Sequence, residues 1–150
     1  MDIKQRLINY EGTKEYQKVK GYFKQDKFWM YKDTEGYWTI GYGHKVLPNE
    51  MEKYKKGISA LDADLLLAWD IDRTKKDLAT LGLSVPKDWE DFLIIMTFQL
   101  GLGGVKKFKK MIEALKQCQW SEAVKQAKDS LWYRQTPTRL NDMIKELQHK

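Results

Sequence analysis

Three side chains in the N-terminal part of the sequence have the types and spacing that acid–base hydrolysis requires. Glu11 directly precedes Gly12, Asp33 opens the turn-forming stretch 33–36, and Thr39 lies in the β-prone run that follows. Two carboxylates held apart across a glycosidic bond leave room for a water molecule, which is the arrangement of inverting glycoside hydrolases. The pattern therefore indicates a cleft in which two carboxylates and a hydroxyl group surround one reacting bond.

The elements that position these residues are predicted from apolar spacing and turn residues. Apolar residues at near-helical spacing predict a short helix that ends at Glu11, where the following glycine suits a C-terminal cap. Residues 16–44 are rich in aromatic and β-branched types and are interrupted by turn-prone pairs, which predicts a small antiparallel sheet. Its best-defined hairpin has arms near 28–32 and 37–42, so the second carboxylate and the hydroxyl group can face the same space.

The middle of the chain predicts a loop followed by a long helix. Residues 45–57 are polar and lysine-rich, which indicates a loop or a poorly formed turn of helix. Ser59 and Asp62 resemble a capping box, with Asp in the place usually taken by Glu, and open a helix to about Leu81. This helix is long enough to link two lobes.

The apolar spacing in the C-terminal half of the chain predicts helices only. Residues 88–100 are too apolar on every side for a surface helix, so we expect them in the core of a second lobe, ended by the glycine-rich stretch 101–104. Three shorter helices are expected to follow: one with an apolar stripe over 108–115, one capped by Ser121, and one with the N-cap Thr136.

Composition narrows the possible functions. The 150 residues carry 27 Lys and Arg against 21 Asp and Glu, a net charge of +6, and 13% aromatic residues. This balance suits a nucleic acid, an anionic surface, or sugar rings stacked on aromatic side chains, and does not choose among them.

The cysteine count and the lengths of the apolar stretches argue against disulfide-linked, zinc-binding, secreted and membrane-spanning proteins. Cys118, the single cysteine, excludes an internal disulfide, and together with two His residues it excludes a structural Cys/His zinc site. We expect no metal and no cofactor, and a buried or half-buried Cys118. The N-terminus lacks the pattern of a secretory signal, and the longest apolar stretch, 92–96, is far short of the roughly 20 residues of a membrane span. The sequence predicts a soluble protein made in a cytoplasm, without stable membrane association.

Four sequence motifs, taken in order, resemble the phage-type lysozymes, the muramidases of glycoside hydrolase family 24. They are LINYEG at 7–12, YKDTEGYWTIGYGH at 31–44, FQLG at 98–101 and WYRQTPTR at 132–139, and they span most of the chain. The resemblance implies an α+β, lysozyme-like fold in one domain, with a small N-terminal lobe carrying a short antiparallel sheet and a larger, all-helical C-terminal lobe. The lobes implied are approximately 12–58 and 1–11 plus 82–150, and helix 59–81 joins them.

The resemblance also implies roles for individual residues. Glu11 would be the general acid, Asp33 the carboxylate that helps to activate the attacking water, and Thr39 the hydroxyl that positions this water. Phe98 and Gln99 would line the sugar-binding cleft.

Three further residues are implied to lie near this site in structural roles. His44 resembles a general base, but a lone histidine is more often structural, and the resemblance implies that it pairs with Asp70 on the long helix. Arg139 would lie near the acid. An ion pair there lowers the pKa of Glu11, whereas burial and the charge of Asp33 raise it, and the sequence leaves the sum open.

The implied function is hydrolysis of the β-1,4 bond between N-acetylmuramic acid and N-acetylglucosamine in bacterial peptidoglycan, with inversion, by an endolysin that causes host cell lysis. The protein would be a monomer without a nucleic-acid partner. It would reside in the host cytoplasm before lysis and then, with the help of a holin, in the periplasm and cell wall. Two alternatives remain: a non-catalytic module that binds glycan or nucleic acid, and a lytic transglycosylase, which has no use for a water-positioning Asp and Thr.

The sequence also departs from the family pattern. Asp33 lies 22 residues after Glu11, which indicates an insertion of roughly 13 residues around 16–28, expected to form an extra strand or hairpin that widens the sheet or walls the cleft. Leu131 stands where T-even phage members of the family have an arginine, so one cationic cleft contact is expected to be missing.

Overall fold

The computed structural model describes all 150 residues and shows an α+β protein. The predicted fold class is confirmed. The chain divides into two compact units, Met1–Asp72 and Arg73–Lys150, and the division falls within a long helix. The two-lobe division expected from the resemblance stays a prediction.

The first unit contains short helices and six strands of two or three residues. The helices are α1 (Ile3–Glu11), α2 (Lys14–Lys20), a 3-10 turn (Pro48–Glu50), α3 (Met51–Tyr54) and the first part of α4 (Ala60–Ala79). The strands are β1 (Phe23–Lys24), β2 (Lys27–Phe28), β3 (Tyr31–Lys32), β4 (Trp38–Ile40), β5 (His44–Lys45) and β6 (Ile58–Ser59).

These strands form two antiparallel sheets, not the single sheet predicted from the sequence. One sheet has the order β1-β2-β6 and the other the order β3-β4-β5. In the second sheet Tyr31 pairs with Thr39, and Ile40 pairs with His44. Gly41 and Gly43 lie in the turn after β4, which leads into the third strand, β5.

The core of this unit is a buried cluster in which three of the five side chains are aromatic. Phe28 and Ile40 have no exposed surface, and Phe23, Tyr54 and Ala63 pack with them in one buried cluster. Phe28 contacts the ring of Phe23 edge-on, with ring centroids 4.7 Å apart. The cluster joins strands of both sheets to α3 and α4, so it sets the position of β4 and its Thr39.

The expectation that the sheet region begins at residue 16 was wrong, because residues 14–20 form the helix α2. The side chain of Thr13 accepts a hydrogen bond from the backbone N–H of Tyr16 at 3.1 Å, which caps the start of α2. Gly21 adopts a left-handed conformation and caps its end. The rest of the insertion forms the predicted hairpin, β1 and β2, which lies in the other sheet.

The second unit is helical throughout. After the end of α4 it contains α5 (Lys87–Lys106), α6 (Lys109–Lys116), α7 (Trp120–Lys128), α8 (Leu131–Gln135) and α9 (Pro137–Lys145). Residues 92–97 of α5 are buried without interruption, which confirms the prediction of a core helix. Gly101 leaves helical geometry at φ 73°, so the predicted glycine break is present, but a further helical turn follows it.

Four sequence-based expectations for this unit need correction. The helix expected to be capped by Ser121 begins one residue earlier, at Trp120, after the N-cap Gln119. The short helix α8 was not predicted. Thr136 precedes α9 as expected, but its side chain makes no capping hydrogen bond. Cys118 is exposed, not buried, because it lies in the turn after α6 with φ 57°.

No helix in the structure combines the length and the apolar composition that crossing a membrane requires.

Candidate active site

Glu11, Asp33 and Thr39 line one cavity of about 250 Å³ in the first unit. Each comes from a different part of the fold, namely the end of α1, the turn between β3 and β4, and β4 itself. The structure thus brings together the three residues that the sequence pattern singled out.

Glu11 is the last residue of α1 and faces the turn before β5. Gly12 follows with φ 117°, a conformation that suits glycine, and its N–H donates to the carbonyl of Ile8. A Cβ atom added to Gly43 would lie 2.8 Å from Cγ and 3.0 Å from Oε2 of Glu11. Glycine at position 43 therefore leaves the room that the Glu11 carboxyl occupies.

Asp33 both organises the turn and faces a cation. Its Oδ1 accepts hydrogen bonds from the backbone N–H groups of Glu35 and Tyr37, each at 2.9 Å. Its Oδ2 accepts one from Lys45 Nζ at 2.9 Å. Burial acts to raise the pKa of Asp33, but these hydrogen bonds and the charge of Lys45 outweigh it, so the pKa lies below its usual value. Asp33 is therefore ionised near neutral pH.

Thr39 presents an acceptor to the cavity. The residue is only 4% exposed, and its hydroxyl donates to the backbone carbonyl of Tyr37 at 3.1 Å. Because the single hydroxyl proton is used in that bond, the oxygen lone pairs remain to accept a hydrogen bond. A water molecule in the cavity can therefore donate to Thr39.

Tyr31 adds a protonated hydroxyl to the cavity. Burial, followed by the negative charges of Glu11 and Asp33, raises the pKa of Tyr31 well above its usual value. Its ring stacks on that of Tyr22 with centroids 4.2 Å apart and an interplanar angle of 6°. The hydroxyl is therefore held as a neutral hydrogen-bond donor beside the carboxylates.

Sequence reasoning missed several residues of the cavity wall. Tyr16 and Lys20 of α2, together with Lys32 and Lys45, line it as well. Lys45 follows the motif at 31–44 and carries no signal of its own, because its role depends on strand pairing that brings it to Asp33. The two α2 residues were missed because α2 itself was not predicted.

His44 lies between two cavity-lining residues, Gly43 and Lys45, and contacts two carboxylates. Its Nδ1 is 2.8 Å from Oδ2 of Asp70, and its Nε2 is 3.3 Å from Oε1 of Glu50. Burial acts to lower the pKa of His44, but the hydrogen bonds and charges of Asp70 and Glu50 outweigh it, so the pKa is raised. The expected pair with Asp70 is present, and it joins β5 to α4.

Phe98, Gln99 and Arg139 lie in the second unit. Phe98 is half-buried, and Oε1 of Gln99 accepts a hydrogen bond from the indole N–H of Trp132 at 2.9 Å. Arg139 is half-buried on α9. Their places in a sugar-binding cleft or near Glu11 stay predictions. No three His, Cys, Asp or Glu side chains converge so as to hold a metal ion.

A cavity with two carboxyl groups and a hydroxyl acceptor can protonate one oxygen of an acetal and orient a water molecule for attack on its carbon. Residues 25–145 match the family model described as "Phage lysozyme". The chain is a glycoside hydrolase, and its chemistry is muramidase-type hydrolysis of peptidoglycan. It belongs to the phage lysozyme family.

Individual relatives agree with this family. "Probable T4-type lysozyme 1" and "Probable T4-type lysozyme 2" of Dictyostelium discoideum are 29% and 31% identical to the chain over 148 residues, which cover 82% of the chain and 87% of each relative. "Pre-baseplate central spike protein Gp5" of Enterobacteria phage T4 is 33% identical over 134 residues, which cover 73% of the chain and 23% of that protein.

Proposed function

We propose that the chain cleaves the β-1,4 bond between N-acetylmuramic acid and N-acetylglucosamine with inversion, using Glu11, Asp33 and Thr39. The observation that carries this proposal is that the three side chains line one cavity. Membership of the phage lysozyme family supports the reaction class and the substrate.

In the proposed step Glu11 is protonated and donates its proton to the glycosidic oxygen. The bond between this oxygen and the anomeric carbon breaks, and the oxygen leaves as the hydroxyl group of the next sugar. The Glu11 carboxyl lies beside Gly43, and a side chain at position 43 would occupy the space that this carboxyl needs.

Asp33 and Thr39 act on the water molecule. Thr39 accepts one hydrogen bond from the water and sets its orientation, while ionised Asp33 accepts the proton that the water loses as its oxygen bonds to the anomeric carbon. The hydrogen bonds from Lys45 and from the turn hold Asp33 in its ionised form. The water attacks the face opposite the leaving oxygen, so the new hydroxyl is axial and the product is the α-anomer.

Two residues of the second unit are proposed to bind sugar. Phe98 and Gln99 would line the sugar cleft, and the bond from Trp132 to Gln99 fixes the amide orientation that such a contact needs.

We also propose that the protein acts as a monomeric endolysin. It would accumulate in the host cytoplasm and reach the periplasm and the wall when a holin opens the inner membrane. Expression in a bacterium with and without a co-expressed holin tests this point: lysis is expected only with the holin, and lysis without it would contradict the proposed route.

The mechanism is tested by the products released from purified peptidoglycan. Proton NMR during the first turnovers should show α-configured reducing ends, and Asp33→Asn and Thr39→Ala should each strongly reduce their release. Initial β-anomers would contradict inversion, and 1,6-anhydromuramic ends would identify a lytic transglycosylase. Glycan binding without any cleavage would identify a binding module.

A further inference from the structure

The inserted helix α2 forms one wall of the catalytic cavity. Tyr16 and Lys20, one turn apart on this helix, line the same cavity as the two carboxylates. The substrate portion that binds beside the reacting bond must therefore pass residues that the insertion contributes.

A buried glutamine holds α2 firmly against the catalytic hairpin. Gln17 is 1% exposed, and its side-chain amide donates to the carbonyl of Gly12 at 3.0 Å and to that of Gly41 at 2.8 Å. The first carbonyl follows Glu11 and the second follows β4. Because one side chain ties α2 to both catalytic segments, the backbone of this helix, from which Lys20 extends, is held next to them.

Lys20 forms no ion pair within the protein. Its Nζ lies 5.8 Å from the centroid of the Tyr16 ring, a cation–π distance, whereas Lys45 is matched by Asp33 at 2.9 Å. Lys32, the other lysine of the cavity, likewise lies over a ring, that of Trp38, at 5.4 Å. Three lysines and two carboxyl groups line the cavity, so it carries an excess of positive charge even when both carboxyl groups are ionised.

Peptidoglycan has negative charge at a defined distance from the bond that is cut. The muramic acid ring carries a lactyl group on O3, and this group ends either in its own carboxylate or in a stem peptide with free carboxylates. An anion on this substituent is the natural partner for a cation fixed at the edge of the cavity.

We propose that Lys20, held over the Tyr16 ring, binds a carboxylate on the O3 substituent of the muramic acid ring and so favours muramic acid-containing strands as substrates. This inference rests on the proposed muramidase function and extends it to a residue of the insertion. Lys20 is a specificity residue in this account and takes no part in proton transfer.

The test compares Lys20→Met with Lys18→Met on soluble glycan strands. Both lysines lie in the last turn of α2 and are exposed, but Lys18 does not line the cavity, so the control loses the same helix-end charge. Three strands are used: one with free stem-peptide carboxylates, one with these carboxylates converted to neutral amides, and one with the peptides removed so that the lactyl carboxylate is free.

Lys20→Met is expected to lower kcat/KM about two- to fivefold on the strand with free stem carboxylates, the range for an exposed ion pair, mainly through KM. It should leave the amidated strand unchanged, and Lys18→Met should leave both unchanged. A similar loss on the peptide-free strand shows that Lys20 also binds the lactyl carboxylate, whereas no loss there restricts the contact to the stem peptide.

An equal loss on the charged and amidated strands, or no loss on any strand, overturns the proposal. Failure of the proposed function is distinguishable, because the wild-type protein would then cleave none of the strands. In that event titration calorimetry with the soluble peptide-bearing disaccharide decides: weaker binding to Lys20→Met than to Lys18→Met supports the contact, and equal binding refutes it.

Discussion

Replacing Asp70 by Asn is expected to destabilise the protein in a pH-dependent manner, because Asp70 pairs with a histidine whose pKa is raised. The side chains of His44 and Asp70 are 10% and 18% exposed and lie 2.8 Å apart. A pair this well shielded lies between an exposed ion pair, at roughly 0.2–1 kcal/mol, and a fully buried one, at roughly 3–5 kcal/mol when broken. We therefore expect a loss of about 2 kcal/mol in the free energy of unfolding at pH 5.

The direction of the pH effect follows from the raised pKa of His44. Because the pKa of His44 is higher in the folded protein than in the unfolded chain, protonation of His44 stabilises the fold. This contribution is complete below the unfolded-state pKa of about 6.5 and disappears as the pH rises through the folded-state pKa. Asp70→Asn should thus lower Tm by roughly 4–8 °C at pH 5. The decrease at pH 9 should be clearly smaller.

The assay is thermal unfolding followed by circular dichroism at pH 5, 7 and 9. Asp72→Asn is the matched control, because Asp72 lies on the same helix, is exposed and forms no ion pair with His44. An equal decrease in Tm at pH 5 and pH 9 would refute the reasoning, since the charged pair would then contribute nothing specific. A decrease in Asp72→Asn as large as that in Asp70→Asn would show a general effect of charge on α4.

Three further predictions concern the site and the second unit. Gly43→Ala should lower activity about 10- to 100-fold, because the added Cβ displaces the Glu11 carboxyl. The control Gly21→Ala introduces a Cβ at a similar φ but in open space and should keep activity. Lys45→Met should move the acid limb of the pH–activity profile to higher pH, because the pKa of Asp33 is no longer lowered by that cation. Asp88→Ala should cost about 1–3 kcal/mol in urea unfolding, because Asp88 accepts hydrogen bonds from the N–H groups of residues 148 and 149; full stability would contradict their importance.

The sequence predicted the positions of the three site residues because local signals encode them. Glu11 ends a helix before a glycine, and Asp33 stands where its side chain accepts N–H groups two and four residues ahead. Thr39 follows on the return strand. Each signal spans only a few residues, so periodicity and turn chemistry find it without knowledge of the fold.

Helix α2 escaped prediction because its buried face is polar. Its buried residue is Gln17, while Tyr16 is 54% and Val19 87% exposed. Hydrophobic periodicity therefore indicates no helix, and the aromatic and β-branched residues favour a strand. The sequence signals for this helix are its caps, Thr13 before it and Gly21 after it. The aromatic and β-branched residues between them favour a strand more strongly than the caps favour a helix.

The division into two sheets depends on long-range pairing. Phe28 of β2 pairs with Ile58 of β6, thirty residues away in the chain, and strands of two residues carry almost no alternation to detect. The exposure of Cys118 likewise follows from a left-handed residue in the tight turn after α6. Cysteine is usually buried, so composition pointed the other way.

The rate of reducing-end release by Glu11→Gln tests the central claim most directly. This substitution keeps the size of the side chain but removes the transferable proton, so we expect a loss of at least about 10²- to 10⁴-fold with unchanged circular dichroism. Glu15→Gln, at the neighbouring glutamate on α2 that does not line the cavity, should retain near wild-type activity. Near wild-type release by Glu11→Gln would contradict the account, and a loss confined to Glu15→Gln would transfer the role of the acid to that residue.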